Sequence, residues 1–252
     1  MGIIPKFIDE AASKPAQVVG ETLKDIWQLG IGSHVALWAK KQEHRHNLNL
    51  EDYVDRIQNK TQNIPEEFLR EPQLNIVGPA LEASKYYIDS ELLREMFANL
   101  ISSSVDQRKY SKTHPSFVEI IKQLSPLDAE ILTFLQQKDY TPIISLEGVD
   151  SSNLYFMIQQ HILDLPDKSN YKSHVSSISN LQRLGLVEFN YLQYVTTEGV
   201  YDYIEAHPVL ELVKQQISKH NISNPNSKIE IKKKYGFCIK TPLCEDFLEI
   251  CL

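Results

Sequence analysis

Two sets of residues in this chain invite metal chemistry. His44 and His46, in "KKQEHRHNLNL", attract attention because imidazole is the commonest metal-binding side chain. On a continuing helix, however, residues two apart point about 200° from each other. No Asp, Cys or further His follows at three or four, so a solvated helix end is expected and no metal site. Cys238, Cys244 and Cys251 fall in the last fifteen residues, match no zinc spacing, and form an odd set that suits a reducing compartment.

Enzyme signatures are also missing from the pattern. The chain has no Gly-rich phosphate loop, no G-x-S-x-G and no H-E-x-x-H. His114, before Pro115, reads as a helix-entry residue, and Glu66, Glu67, Glu91 and Glu95 read as solvated faces opposite apolar stripes. No catalytic residue, metal or cofactor is therefore expected, and the chain is read as a non-enzyme.

Two further sets could make contacts. Residues 214–240 carry seven lysines against Glu230 alone, a local charge of +6 that leaves −13 on the rest of a chain whose net charge is −7. Within it, Lys232, Lys233 and Lys234 are candidates for nucleic acid or a partner, together with Ser176, Ser177, Asn180 and Arg183, which a helix would place opposite Val175, Ile178 and Leu181. Arg183 is the only arginine there, and arginine is the usual guanine reader. The second set is Trp27, Trp38, Lys40 and Lys41, whose aromatic and basic character suits a membrane interface or a partner, with simple core packing as the alternative.

The elements that must position these residues follow from periodicity. At 252 residues, 42% hydrophobic and 23% charged, the chain has material for a soluble globular protein of one or two domains. Val19, Leu23, Ile26, Trp27, Ile31, Val35 and Trp38 form an apolar stripe over 15–41, interrupted by Lys24 and Asp25, so it is amphipathic and does not span a bilayer. "MGIIPKFIDE" has no signal-peptide h-region, and Lys6 stands where a myristoylation site wants Ser or Thr, so no transport signal is expected.

From 62 onward Pro65, Pro72 and Pro79 punctuate short helices, each proline expected at a helix end rather than inside. Asp89 or Ser90 then caps a helix carrying Leu92, Leu93, Met96, Phe97, Leu100 and Ile101 inward. In "HPSFVEIIKQLSPLDAEILTFL", residues 114–135, Pro115 and Pro126 open two helices, and Ser125-Pro126-Leu127-Asp128 has the form of a capping box. A loop with Pro142 and Gly148 should lead to a further helix around 151–163. After a helix buried through Val175, Ile178, Leu181 and Leu184, Gly185 stops it and "LVEF" begins a strand. Two short runs, 229–234 and 236–240, should form a ribbon turning near Tyr235–Gly236, and "PLCEDFLEICL" closes as a helix.

The expected fold is mostly α with a small β component. A helical half, 1–110, comprises amphipathic helices over 1–61 and Pro-punctuated helices over 62–110. A winged-helix-like domain, 111–252, follows, with a helical insertion at about 190–228 in its wing and a break at His207–Pro208.

The stretches "LSPLDAEIL", "HPSFVEIIKQL", "ISNLQRLGLV" and "IKTPLCEDFLEIC" together resemble the Abi-alpha (abortive infection alpha) family over most of residues 62–252. Family members close with a Thr-x-x-Gly-like turn, and here Cys244 stands at the glycine position. The resemblance implies antiviral defence of bacteria and carries no catalytic residue over. The expected function is non-enzymatic anti-phage defence through a companion defence protein, a phage component or a membrane; a winged-helix DNA-binding regulator is the alternative, and self-association stays open. The expected location is the cytoplasm, with peripheral attachment to the inner membrane left open.

Overall fold

The computed structural model describes residues 14–27 and 45–252. Contacts divide the chain into two compact units, one running to Ala129 and regaining Glu245–Leu252, the other comprising Glu130–Cys244.

The first unit is helical. Its described elements are α1 (Lys14–Trp27), α2 (Arg45–Gln62), α3 (Leu74–Ser84), α4 (Glu91–Ser104) and α5 (Ser116–Lys122); α6 (Pro126–Gln136) leads out of the unit and α9 (Pro242–Cys251) leads back. Helix α4 is buried nearly all round, through Leu93, Met96, Phe97, Ala98, Leu100 and Ile101, as a helix at the centre of a bundle must be. Tyr53 and Ile57 of α2, Ile76 and Leu81 of α3, and Phe117 of α5 complete this core; Phe117 meets Phe247 of α9 edge to face at 5.3 Å. Arg56 ties α2 to α4, pairing with Asp52 at 2.7 Å and Glu95 at 2.6 Å, and Lys60 adds a second pair to Glu95 at 2.6 Å.

The corner between α5 and α6 forms the predicted capping box. Asp128 accepts from the Ser125 N–H at 2.7 Å, and Ser125 Oγ accepts from the Asp128 N–H at 3.1 Å. Pro79 departs from expectation, since it lies inside α3, where the carbonyl four residues back loses its usual donor. The stripe over 15–41 is seen as far as α1, which buries Val19 and Leu23. Ile31, Val35, Trp38, Lys40 and Lys41 lie outside the described residues, as do His44 and the side chain of Trp27.

The second unit is built on an antiparallel sheet of β1 (Tyr140–Asp150), β2 (Tyr155–Leu163), β3 (Val187–Asn190) and β4 (Ile229–Lys240), in the order β2-β1-β4-β3. Helices α7 (Tyr171–Arg183) and α8 (Pro208–Ser223) accompany it. Ile144, Leu146 and Ile162 of the sheet pack with Ile204 and with Val209, Leu210 and Val213 of α8. His207 accepts from the Val209 N–H at the break before Pro208, so that residue caps α8. Gly185, at φ +72°, ends α7 with the paired bonds Leu186 N–H to Leu181 and Gly185 N–H to Gln182. Thr241 Oγ1 accepts from the Cys244 N–H at 3.1 Å and so caps the first turn of α9, where the family turn was expected.

Two expectations fail here. The loop and helix expected over 139–163 are the two strands of one long hairpin, turned at Asp150–Asn153 with Asn153 at φ 62°. Pro142 is tolerated in β1 because β2 pairs only from Ile143 onward, so the missing N–H faces no strand on that side. The two runs 229–234 and 236–240 are a single strand, β4, paired along its length with β1. The helix-helix-helix-strand order behind the winged-helix expectation is therefore absent, while the mostly α fold with a small sheet stands.

Candidate functional site

Helix α7 turns its polar residues in different directions. His174, Ser177, Ile178 and Leu181 are buried, being three and four residues apart. Ser177 therefore belongs to the packed face, not to the exposed one expected of it, and Val175 is only half-buried. Ser176 and Arg183 are exposed, and Arg183 is held over its own helix by two bonds to Asn180 Oδ1, at 3.1 and 2.8 Å.

The three consecutive lysines are divided by the strand that carries them. Side chains alternate along β4, so Lys232 and Lys234 share one face and Lys233 takes the other. Each finds a carboxylate: Lys232 meets Glu230 at 3.6 Å, Lys234 meets Glu147 at 3.6 Å, and Lys233 pairs with Glu205. Helix α7 packs against β2, with Tyr171, His174 and Val175 beside His161 and Leu163, while β1 separates β2 from β4. The α7 residues and the β4 lysines thus belong to different parts of the sheet unit.

Beneath the sheet edge lies a polar cluster that spacing arguments missed. Ser145 Oγ donates to the Tyr191 hydroxyl at 2.8 Å, and that hydroxyl lies 3.1 Å from His161 Nδ1. The His161 ring stacks on Phe189 at 4.0 Å, and its backbone is left-handed at φ 55°. Burial pushes the Tyr191 phenol up to about 12 and holds His161 below its ordinary value, so both groups are neutral at pH 7. Hydroxyl, phenol and imidazole make a connected relay of neutral groups, which fixes the packing of three strand segments. The void between His161, His174 and His207 is only about 10 Å³, about one water molecule. Among the described residues no group of three or more His, Cys, Asp or Glu could hold a metal ion.

The outer surface of the hairpin is the opposite in character. Leu154 at the end of the turn, and Tyr155, Phe156 and Met157 at the start of the edge strand β2, are exposed by 63, 60, 37 and 50%. From Tyr155 to Leu163 that strand has no charged side chain. Phe156 lies over Gly148 of β1, where any Cβ would collide with the ring. The ladder slips where Glu147 pairs with Met157 but Leu146 with Gln159, so the regular edge ends at Ile158. Sequence reading took this stretch for a helix and so overlooked the surface.

The family model for abortive infection alpha matches residues 45–251, from the start of α2 to the end of α9. The chain belongs to the abortive infection alpha family. Membership in this Abi-alpha family points to an abortive-infection-type defence role. The matched segment contains both the relay and the exposed hairpin, while the tryptophan-bearing stripe over 15–41 precedes it. No curated protein and no solved structure matches this Abi-alpha chain. No helix among its described residues is long and apolar enough to cross a membrane.

Proposed function

We propose that this protein serves abortive-infection-type defence by binding another protein through its sheet unit, with no catalytic step. The observation that carries the reading is the uncharged end of β2, where Tyr155–Met157 stand exposed on the outer strand of the described sheet, next to the exposed Leu154 of the turn. Edge strands are ordinarily blunted by lysine, proline or a covering loop, because they offer unpaired N–H and C=O groups to any passing strand. Among the described residues none of these is present over Tyr155–Met157, and these side chains, with Leu154 beside them, gain by being covered. A lipid surface could cover those side chains but could not satisfy the edge's main-chain groups, which favours a protein.

The test is a protection assay in cells challenged with phage, comparing the wild type with a Tyr155→Lys, Met157→Lys variant. Both positions are exposed, so the variant is expected to unfold at the same temperature as the wild type and to lose protection. Full protection by a folded variant would sink the reading.

A further inference from the structure

The seven lysines of residues 214–240 divide into two groups in the structure. On β4 Lys232, Lys233 and Lys234 are matched to carboxylates, and Lys240 donates to the main-chain oxygens of Gln136 and Lys138 at 3.2 and 2.7 Å. Lys214 and Lys219 of α8 and Lys228 of the turn before β4 form no ion pair among the described residues, although Lys214 adds to the charge that holds the Glu205 carboxyl low, behind Lys233. Two of these, Lys214 and Lys228, line an open groove of about 510 Å³ between α8 and the first half of β4. Its apolar lining is Ile217 and Ile222 from the helix and Ile229 and Ile231 from the strand. Ile222 is 75% exposed, so lysines that form no ion pair among the described residues border an exposed apolar surface.

The strand side of the groove is an edge. Asn221 donates to the Ile229 C=O at 2.9 Å and accepts from its N–H at 2.8 Å, the pair of bonds that an antiparallel neighbour would make. Ile231, two residues on, turns its main-chain groups to the same side. Strand β3 reaches β4 only from Phe237 onward, so among the described residues the segment before it has no strand neighbour on that side.

The geometry points to an acidic, extended segment of a partner protein as the occupant of this groove. The segment adds beside Ile231 as a further strand, lays alternate apolar side chains against Ile217 and Ile222, and brings carboxylates to Lys214 and Lys228. Charge complementarity selects it: a basic strand meets these lysines as like charges, and a neutral one leaves them unanswered. This surface is distinct from the exposed end of β2, so either can fail without the other.

The probe is a short fluorescein-labelled peptide of alternating Glu and Ile, titrated into the full chain and followed by anisotropy. Its controls are a Lys and Ile peptide, a Glu and Ser peptide, and the Glu and Ile peptide N-methylated at alternate amides. The Glu and Ile peptide is expected to bind about ten-fold or more tighter than each control, and to weaken as salt rises. Lys214→Glu with Lys228→Glu, and separately Ile222→Asp, are each expected to weaken it by about ten-fold or more. These side chains are exposed, so unchanged thermal unfolding separates lost binding from lost fold. Equal binding of the Lys and Ile peptide overturns the charge matching, equal binding of the N-methylated peptide overturns strand addition, and indifference to the substitutions overturns the site. Absence of peptide binding alongside co-sedimentation with phosphatidylglycerol vesicles overturns it in favour of a membrane surface.

Discussion

Tyr191 lies across Gly236. A Cβ at residue 236 would stand 2.7 Å from Tyr191 Cδ1 and nearer still to the Asn190 carbonyl oxygen, so the ring reaches Ser145 only because β4 has no side chain at that point. Gly236→Ala should therefore destabilise the sheet unit by about 1–3 kcal/mol, as overpacking does. Gly78 of α3 meets nothing within 4 Å beyond its chain neighbours and its own helix, so Gly78→Ala, facing only the adjoining Pro79 ring, should cost less than Gly236→Ala. Urea unfolding of the two variants checks the contrast, and equal effects would refute it.

The relay predicts an effect with no change of packing volume. Tyr191→Phe keeps the ring over Gly236 but leaves Ser145 Oγ and His161 Nδ1 without the hydroxyl they share, a loss of about 1–3 kcal/mol. Adding Ser145→Ala should cost less than its separate effect, since its partner is already gone. A double-mutant cycle by urea unfolding measures this coupling.

Acid should weaken the sheet unit before it reaches the carboxylates. Burial, the largest cause for each, holds His161, His174 and His207 below the ordinary histidine value of 6.5. The unfolded chain then takes up protons before the folded one does, so stability is level above about pH 6.5 and falls as pH drops below it. Glu95 and Asp106, held low in the folded state, add their losses only below their ordinary values of 4.5 and 3.8. Melting temperatures between pH 7.5 and 5 should decline, and less steeply in His161→Gln.

The corner at Ser125 is testable by itself. Ser125→Ala removes the acceptor for the Asp128 N–H and should cost about 0.5–2 kcal/mol, whereas Ser125→Gly should cost only a few tenths. Thermal unfolding of both variants distinguishes a cap from a generic loss of polarity.

All three cysteines should be inert in the folded protein. Cys238, Cys244 and Cys251 are 2, 0 and 0% exposed, and burial pushes the Cys238 thiol up to about 12 and Cys251 well above its ordinary value. Iodoacetamide at pH 7.5 should label none of them until denaturant is added, as intact-mass measurement would show.

Local signals were legible wherever a few neighbouring residues decide the outcome. The capping box at Ser125–Asp128, the left-handed stop at Gly185 and the break at His207–Pro208 depend on side chains within four residues of the backbone they serve. The apolar positions of α4 were legible because Leu93, Met96, Phe97, Leu100 and Ile101 recur at three and four residues, although Leu92, also expected inward, is only half-buried. Residues 151–163 were misread because "LYFMIQQHIL" is a short run whose apolar residues suit a buried helix or a strand equally, and nothing local chooses between them. The pairing of Glu147 with Met157 and of Val149 with Tyr155 makes that choice.

By itself the sequence determined the family, the mostly helical character, the capping box at Ser125–Asp128 and the concentration of lysine in residues 214–240, whereas Ser90, expected to cap α4, makes no side-chain cap bond. Only the tertiary structure decided that Lys232–Lys234 are matched by Glu230, Glu205 and Glu147, while Lys214 and Lys228 border an apolar groove. It also decided that Ser145, His161 and Tyr191 meet and that Tyr155–Met157 lie on the outer strand of the described sheet. The physical reason is range: caps and periodicity act over one or two helical turns, whereas strand register and ion pairing join residues tens of positions apart, such as Lys233 with Glu205 and Ser145 with Tyr191.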